Sequence, residues 1–129
     1  MTQPGARFWF RADAVFDAGM GMLLLSASWD DFYEALQLPI AQPALYAQVA
    51  GGLLLGYAYL LWAGVDTPAR GMLAGTTAAV NIAGVLVVGA WLLSGNLDAG
   101  GLGEVILWLA VVALTVFAVA EIRIARETA

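Results

Sequence analysis

Four long apolar segments divide this chain, and they constrain its fold more than any other feature. They cover residues 8–28, 43–63, 69–93 and 102–124. A helix needs about 20 predominantly apolar residues to cross the hydrocarbon core of a bilayer. The pattern therefore predicts an all-α fold: an integral membrane four-helix bundle that forms a single transmembrane domain over residues 1–129.

The composition also predicts a lipid environment. The chain has 129 residues, of which 62% are hydrophobic and 12% are charged. Soluble domains are about 45–50% apolar and about 25% charged. One small core cannot hide this much apolar surface from water, so the lipid bilayer is the expected partner. The net charge of −5 does not fit a nucleic-acid-binding protein.

The distribution of charge predicts the orientation. With four spans, all the basic residues fall on one side of the membrane, and the two opposite loops carry acidic residues only. By the positive-inside rule, both termini are then cytoplasmic, and the helices run up-down-up-down. We expect a multi-pass protein of a bacterial cytoplasmic (inner) membrane. The basic residues are Arg7, Arg11, Arg70, Arg123 and Arg126.

Missing residue types exclude several kinds of chemistry. The chain has no Cys, no His and no Lys. Thiol nucleophiles, the usual zinc sites, triads with a His base and Schiff bases are therefore excluded. We predict a protein that is not an enzyme, with no catalytic residues, no metal ligands and no cofactor.

One acidic residue lies where lipid is expected. The purely apolar run from Ala18 to Ala27 is too short to cross a bilayer, so the first helix must start near Phe8. Asp17 then lies roughly 12–14 Å into the membrane, at a depth similar to that of Tyr57 and Asn81. These three residues form either a site for a proton, a cation or a ligand head group, or a structural polar cluster. The sequence leaves both interpretations open.

Two further patterns predict contacts between helices. Arg11 and Glu121 are expected to form a structural ion pair that offsets an acid at the end of the fourth segment. Small residues at every fourth position allow helix backbones to approach closely. We expect these residues to pack inside the bundle, with a dimerisation face as the alternative. They are Gly71, Gly75, Ala79 and Ala83 in the third segment, and Gly52 and Gly56 in the second.

The chain resembles the small four-span bacterial membrane proteins of the DoxX-like group. The resemblance lies in the size, the four spans and a first helix that carries Arg11, Asp13 and Asp17. In outline the chain is also similar to small multidrug transporters, where Asp17 would take the place of the single acid of the first helix. Those proteins use Glu at that place, and many have little charge bias. The resemblance implies an architecture and carries over no functional residue.

Two functions follow as expectations. The first is a small non-enzymatic membrane protein that binds an apolar ligand or lipid, or that serves as an accessory subunit of a larger membrane partner. The alternative is a dimeric, proton-coupled transporter of small molecules with Asp17 as the titrating group. The sequence leaves open the ligand, the oligomeric state and whether the two halves of the chain are a true repeat.

Overall fold

The computed structural model describes residues 3–128 and is helical in class, which confirms the all-α prediction. Residues 1, 2 and 129 of the predicted domain lie outside this range. The long helices are joined by short connections, one of which includes a 3₁₀ turn over Ser26–Ser28. The helices are α1 (Gln3–Leu25), α2 (Asp30–Ala35), α3 (Ala44–Gly64), α4 (Arg70–Ser94) and α5 (Gly101–Thr128).

Three of these helices, α3, α4 and α5, are long and apolar enough to cross a membrane. The first helix is also long: its 23 residues extend over about 34 Å at a rise of about 1.5 Å per residue. It begins at Gln3, earlier than predicted, and ends at Leu25. Because it carries four charged residues, Arg7, Arg11, Asp13 and Asp17, its composition differs from that of the other three. A fourth span through α1 therefore stays a prediction.

The four long helices form two antiparallel hairpins. In the first hairpin α1 packs along α3, and in the second hairpin α4 packs along α5, whereas contacts between the hairpins are much less extensive. The antiparallel pairing is visible where Gln48 of α3 donates a hydrogen bond to the Leu25 carbonyl of α1 at 3.3 Å. We call the end that holds Gln3 and Thr128 the terminal end, and the opposite end the loop end.

A single apolar core joins both hairpins at the terminal end. All four long helices contribute to it, so removal of its side chains from water holds the hairpins together there. Phe10 and Leu61 are fully buried within it. We call this cluster the terminal core; its members are Ala6, Phe10, Ala14, Ala58, Leu61, Val65, Ala74 and Ile124.

The core at the loop end is smaller. Its buried members are Ala27, Tyr33 and Leu38, all from the connection between α1 and α3. The Tyr33 hydroxyl donates a hydrogen bond to the Leu23 carbonyl at 2.7 Å, which fixes α2 across the end of α1. The short helix α2 ends at Ala35, before the chain reaches Leu38.

The predicted packing role is wrong for three of the four small residues in α4. Gly75, Ala79 and Ala83 are exposed, and a Cβ added at Gly75 would meet no atom within 4 Å. Gly71 packs as predicted, because a Cβ at this position would meet the Thr128 side chain of α5. The buried face of α4 instead contains Asn81, whose polar side chain needs hydrogen-bond partners inside the bundle. The other members of this face lie one and two helical turns before Asn81. This face consists of Ala74, Thr77, Ala78 and Asn81.

The same correction applies to α3. Gly52 and Gly56 are exposed, and a Cβ at either position would meet nothing within 4 Å. The close approach in this hairpin occurs one residue earlier. A Cβ on Gly51 would lie 2.6 Å from the Gly21 carbonyl oxygen and 2.8 Å from the Leu25 amide nitrogen. The backbones of α1 and α3 therefore touch at Gly21 and Gly51.

We expect the adjacent glycines of α3 to respond in opposite ways to alanine. Gly51→Ala should lower the free energy of unfolding by about 1–3 kcal/mol, because the added methyl overpacks a backbone contact. Gly52→Ala should leave it unchanged or raise it by up to about 1 kcal/mol, because alanine favours the helix. Denaturant unfolding in detergent micelles measures both values. Equal effects of the two substitutions would contradict the Gly21–Gly51 contact.

Candidate functional site

The inward face of α1 carries two acidic residues. Asp13 and Asp17 are four residues apart, which places them on the same side of a helix. They continue the stripe of Ala6, Phe10 and Ala14 that packs into the bundle. Asp13 is 0% exposed and Asp17 is 3% exposed. Both acids of α1 therefore point into the protein.

Asn81 of α4 connects Asp13 to a third acid, Glu121 of α5. Its side-chain nitrogen donates hydrogen bonds to Asp13 Oδ2 and to Glu121 Oε2, each at 3.0 Å. An amide nitrogen carries two protons, so both donors are used. Asn81 and Glu121 are 1% and 0% exposed. This contact lies at the junction of the two hairpins.

Several oxygen atoms in this cluster lack a hydrogen-bond partner in the described part of the chain. They are Oδ1 of Asp13, Oδ2 of Asp17, Oε1 of Glu121 and the hydroxyl of Tyr57. A buried polar atom without a partner costs free energy. The carboxyls of Asp13 and Glu121 lie within hydrogen-bonding reach of each other. A proton on either one supplies the missing donor, because a protonated carboxyl has an O–H group.

The predicted ion pair between Arg11 and Glu121 is wrong. The Arg11 guanidinium lies 5.1 Å from the centre of the Trp62 ring, on the exposed surface of the first hairpin. Arg11 and Asp13 are two residues apart, and this spacing turns their side chains to different faces of α1. Arg7 is also engaged elsewhere: its Nε donates to Asp66 Oδ1 at 2.6 Å. Neither arginine of α1 neutralises the buried acids.

The structure brings the predicted trio of Asp17, Asn81 and Tyr57 only partly together. Asp17 and Asn81 are both buried, and the Tyr57 phenol lies within the electrostatic reach of the three acids, with Thr77 as its near neighbour. No hydrogen bond links the three predicted residues to one another in the range 3–128. Asn81 is bound to Asp13 and Glu121 instead. The central contact of the site is thus an acid–amide–acid bridge.

The site extends beyond the residues that the sequence indicated. We did not predict a role for Asp13, although its four-residue spacing from Asp17 already placed the two acids on the same face of the helix. Glu121 was predicted with the wrong partner. We call Asp13, Asp17, Tyr57, Asn81 and Glu121 the acid cluster.

An apolar layer separates the acid cluster from the terminal end. Phe10 and Ile124 lie one helical turn beyond Asp13 and Glu121, and they are buried together with Leu61. Outside this layer the surface contains a cavity of about 760 Å³. It is lined by polar and charged groups that include Arg7, Asp66, Thr67, Arg70 and Thr128.

Comparisons with known proteins do not assign this site. No protein-family model, no curated protein and no solved structure gives a significant match to the chain. In the described residues, the acidic side chains form no group of three or more that is arranged to hold a metal ion. The chemistry of the acid cluster therefore follows from its own geometry.

Proposed function

We propose that the chain is a four-span protein of a bacterial inner membrane with both termini in the cytoplasm. Three helices support this directly by their length and apolar character. The arrangement of α1 supports a fourth span, because its acids face the bundle while Arg11 lies on the surface near the terminal end, against Trp62. Long basic side chains reach the interface from such positions. The terminal end then carries the arginines and faces the cytoplasm.

Within this architecture, we propose proton-coupled transport of a small solute. The observation that carries the proposal is the burial of three acids at the junction of the two hairpins, with an amide rather than a cation between two of them. Ionisable groups inside a membrane are costly and mark proton relays or ion pathways. Transporters commonly place such groups between two halves that move relative to each other.

The geometry gives each residue a role. Asp13 and Glu121 share a proton. Asn81 fixes the positions of the two carboxyls, because its side-chain nitrogen donates one hydrogen bond to each of them. Asp17 lies one turn further toward the loop end, about 6 Å along the axis of α1. It is the next acceptor along the bundle, and the buried Tyr57 hydroxyl is an exchangeable donor near Thr77 in the same region.

The experiment uses the protein in liposomes that contain a pH-sensitive dye, with a pH gradient across the membrane. We expect the parent to dissipate the gradient faster than protein-free liposomes do. Asp17→Asn keeps the shape of the side chain but cannot release a proton, so it should return the rate to the protein-free value. Asp98→Asn, at an exposed connection, is the matched control and should behave as the parent does. Equal rates for the parent and Asp17→Asn would contradict the proposal.

A second, also non-enzymatic, function is favoured by a separate observation. Gly52 and Gly56 of α3 and Gly75 of α4 present open backbone on the outside of the bundle. Small residues at such positions allow another membrane helix to approach closely, from a second copy of the chain or from a larger membrane partner. An accessory role, or the binding of an apolar ligand or lipid, needs no proton exchange. In the liposome experiment it predicts identical rates for the parent and Asp17→Asn.

A further inference from the structure

Gln37 forms hydrogen bonds between the two hairpins at the loop end. Its side-chain oxygen accepts a hydrogen bond from the Leu102 amide at 2.9 Å, in the first turn of α5. Its main-chain carbonyl accepts a second bond from the Gly100 amide at 3.0 Å. The same carbonyl lies against Gly103, where a Cβ would overlap it. We call this set of contacts the Gln37 clasp.

The backbone at Gln37 is itself strained. Its φ angle is 55°, in the left-handed region that residues other than glycine rarely adopt. Gln37 directly follows the C-cap of α2, and this conformation lets the Leu38 amide donate to the Tyr33 carbonyl at 3.0 Å, which ends the helix. The end of α2 therefore fixes the position from which Gln37 reaches α5.

The two ends of the bundle differ in how firmly the hairpins are joined. At the terminal end, buried side chains from all four long helices form one core. At the loop end, the buried side chains belong to the first hairpin, and α5 adds Ile106 and Leu107, which are only partly buried, beside Gly103. Separation at the loop end therefore breaks few contacts, while the terminal core remains intact as a pivot.

We propose that the Gln37 clasp is the gate that admits water and protons to the acid cluster from the loop end. This inference rests on the proposed proton-coupled function. Opening separates the first and second hairpins beside α2 and pivots them about the terminal core. The apolar layer of Phe10, Leu61 and Ile124 keeps the opposite side closed in this state.

A disulfide across the clasp tests the gate, and the chain has no native cysteine to interfere. A Cβ built on Gly100 lies 2.9 Å from the Gln37 Cβ. Disulfides need about 3.5–4.5 Å between these atoms, so a small shift accommodates the bond. The variant carries Gln37→Cys and Gly100→Cys, and the two single substitutions are the controls.

Proton flux is measured in the same dye-loaded liposomes before and after oxidation. We expect oxidation to reduce the flux of the double variant to the protein-free rate, and reduction to restore it. The single variants should not respond. Unchanged flux in the oxidised double variant would overturn the gate, and so would failure of the disulfide to form. If the parent itself shows no proton flux, the proposed function fails. That outcome differs from proton flux that persists in the oxidised double variant, which would contradict the gate alone.

Discussion

Replacing Asn81 with leucine should lower the free energy of unfolding by at least about 2 kcal/mol. Leucine has a similar volume, but it cannot donate hydrogen bonds to Asp13 or Glu121. Each buried acceptor left without a partner costs about 1–3 kcal/mol. Both carboxyls lie at the junction of the hairpins, so the loss weakens the association of the two halves. Denaturant unfolding in detergent micelles measures the change.

Thr76 supplies the matched control on the same helix. It is exposed, and its hydroxyl bonds to the Met72 carbonyl of its own helix at 3.0 Å. Thr76→Val should change the free energy of unfolding by no more than about 0.5 kcal/mol, as for most surface substitutions. If Asn81→Leu is as mild as Thr76→Val, the acid–amide–acid bridge does not hold the hairpins together.

The all-helical class was predictable because each apolar segment is long and is separated from the next by residues that start or end helices. Pro43 and Gly95 lie next to the ends of α3 and α4, where the structure also places them. The start of α1 was harder to predict. The segment before Phe8 contains Pro4 and Gly5, which disfavour helix in isolation, yet Ala6 is buried in the terminal core and packing extends the helix to Gln3.

The inward face of each helix could not be assigned from small residues alone. A stripe of glycine and alanine packs equally well against a neighbour in the bundle or against another molecule. In α4 the decisive residue is Asn81, because an amide in an apolar environment needs partners and therefore turns its helix toward them. The helical spacing that places Ala74 and Asn81 on one face was visible in the sequence. The small-residue stripe through Gly75 predicted a different inward face, and the sequence alone did not decide between the two.

The acid cluster was predictable in part for a similar reason. Asp17 and Asn81 were indicated because each interrupts an apolar segment. The pairing of Asp13 with Glu121 depends on how two hairpins meet, and no local pattern records that contact. Positions 11 and 13 both carry charge, and only their opposite orientations in the folded helix show that Arg11 lies outside while Asp13 lies inside.

Glu121→Gln should abolish the proton exchange of the central pair. Glutamine keeps the length of the side chain and still accepts a hydrogen bond from Asn81, so the fold is retained. It carries no exchangeable carboxyl proton, and Asp13 loses the partner with which it shares one. Glu104→Gln, at an exposed position in the first turn of the same helix, is the matched control and should leave exchange intact.

Infrared difference spectroscopy of the protein in liposomes tests this most directly, because a protonated carboxylic acid has a carbonyl band that a carboxylate lacks. The spectrum is recorded as the external pH is stepped, for the parent, Glu121→Gln and Glu104→Gln. If the central pair exchanges protons, the parent and Glu104→Gln share a pH-dependent band of a buried carboxylic acid that is weaker in Glu121→Gln, where Asp13 and Asp17 keep their buried carboxyls. If the parent and Glu121→Gln give the same pH-dependent difference, the pair of Asp13 and Glu121 holds a fixed charge state and only joins the two hairpins.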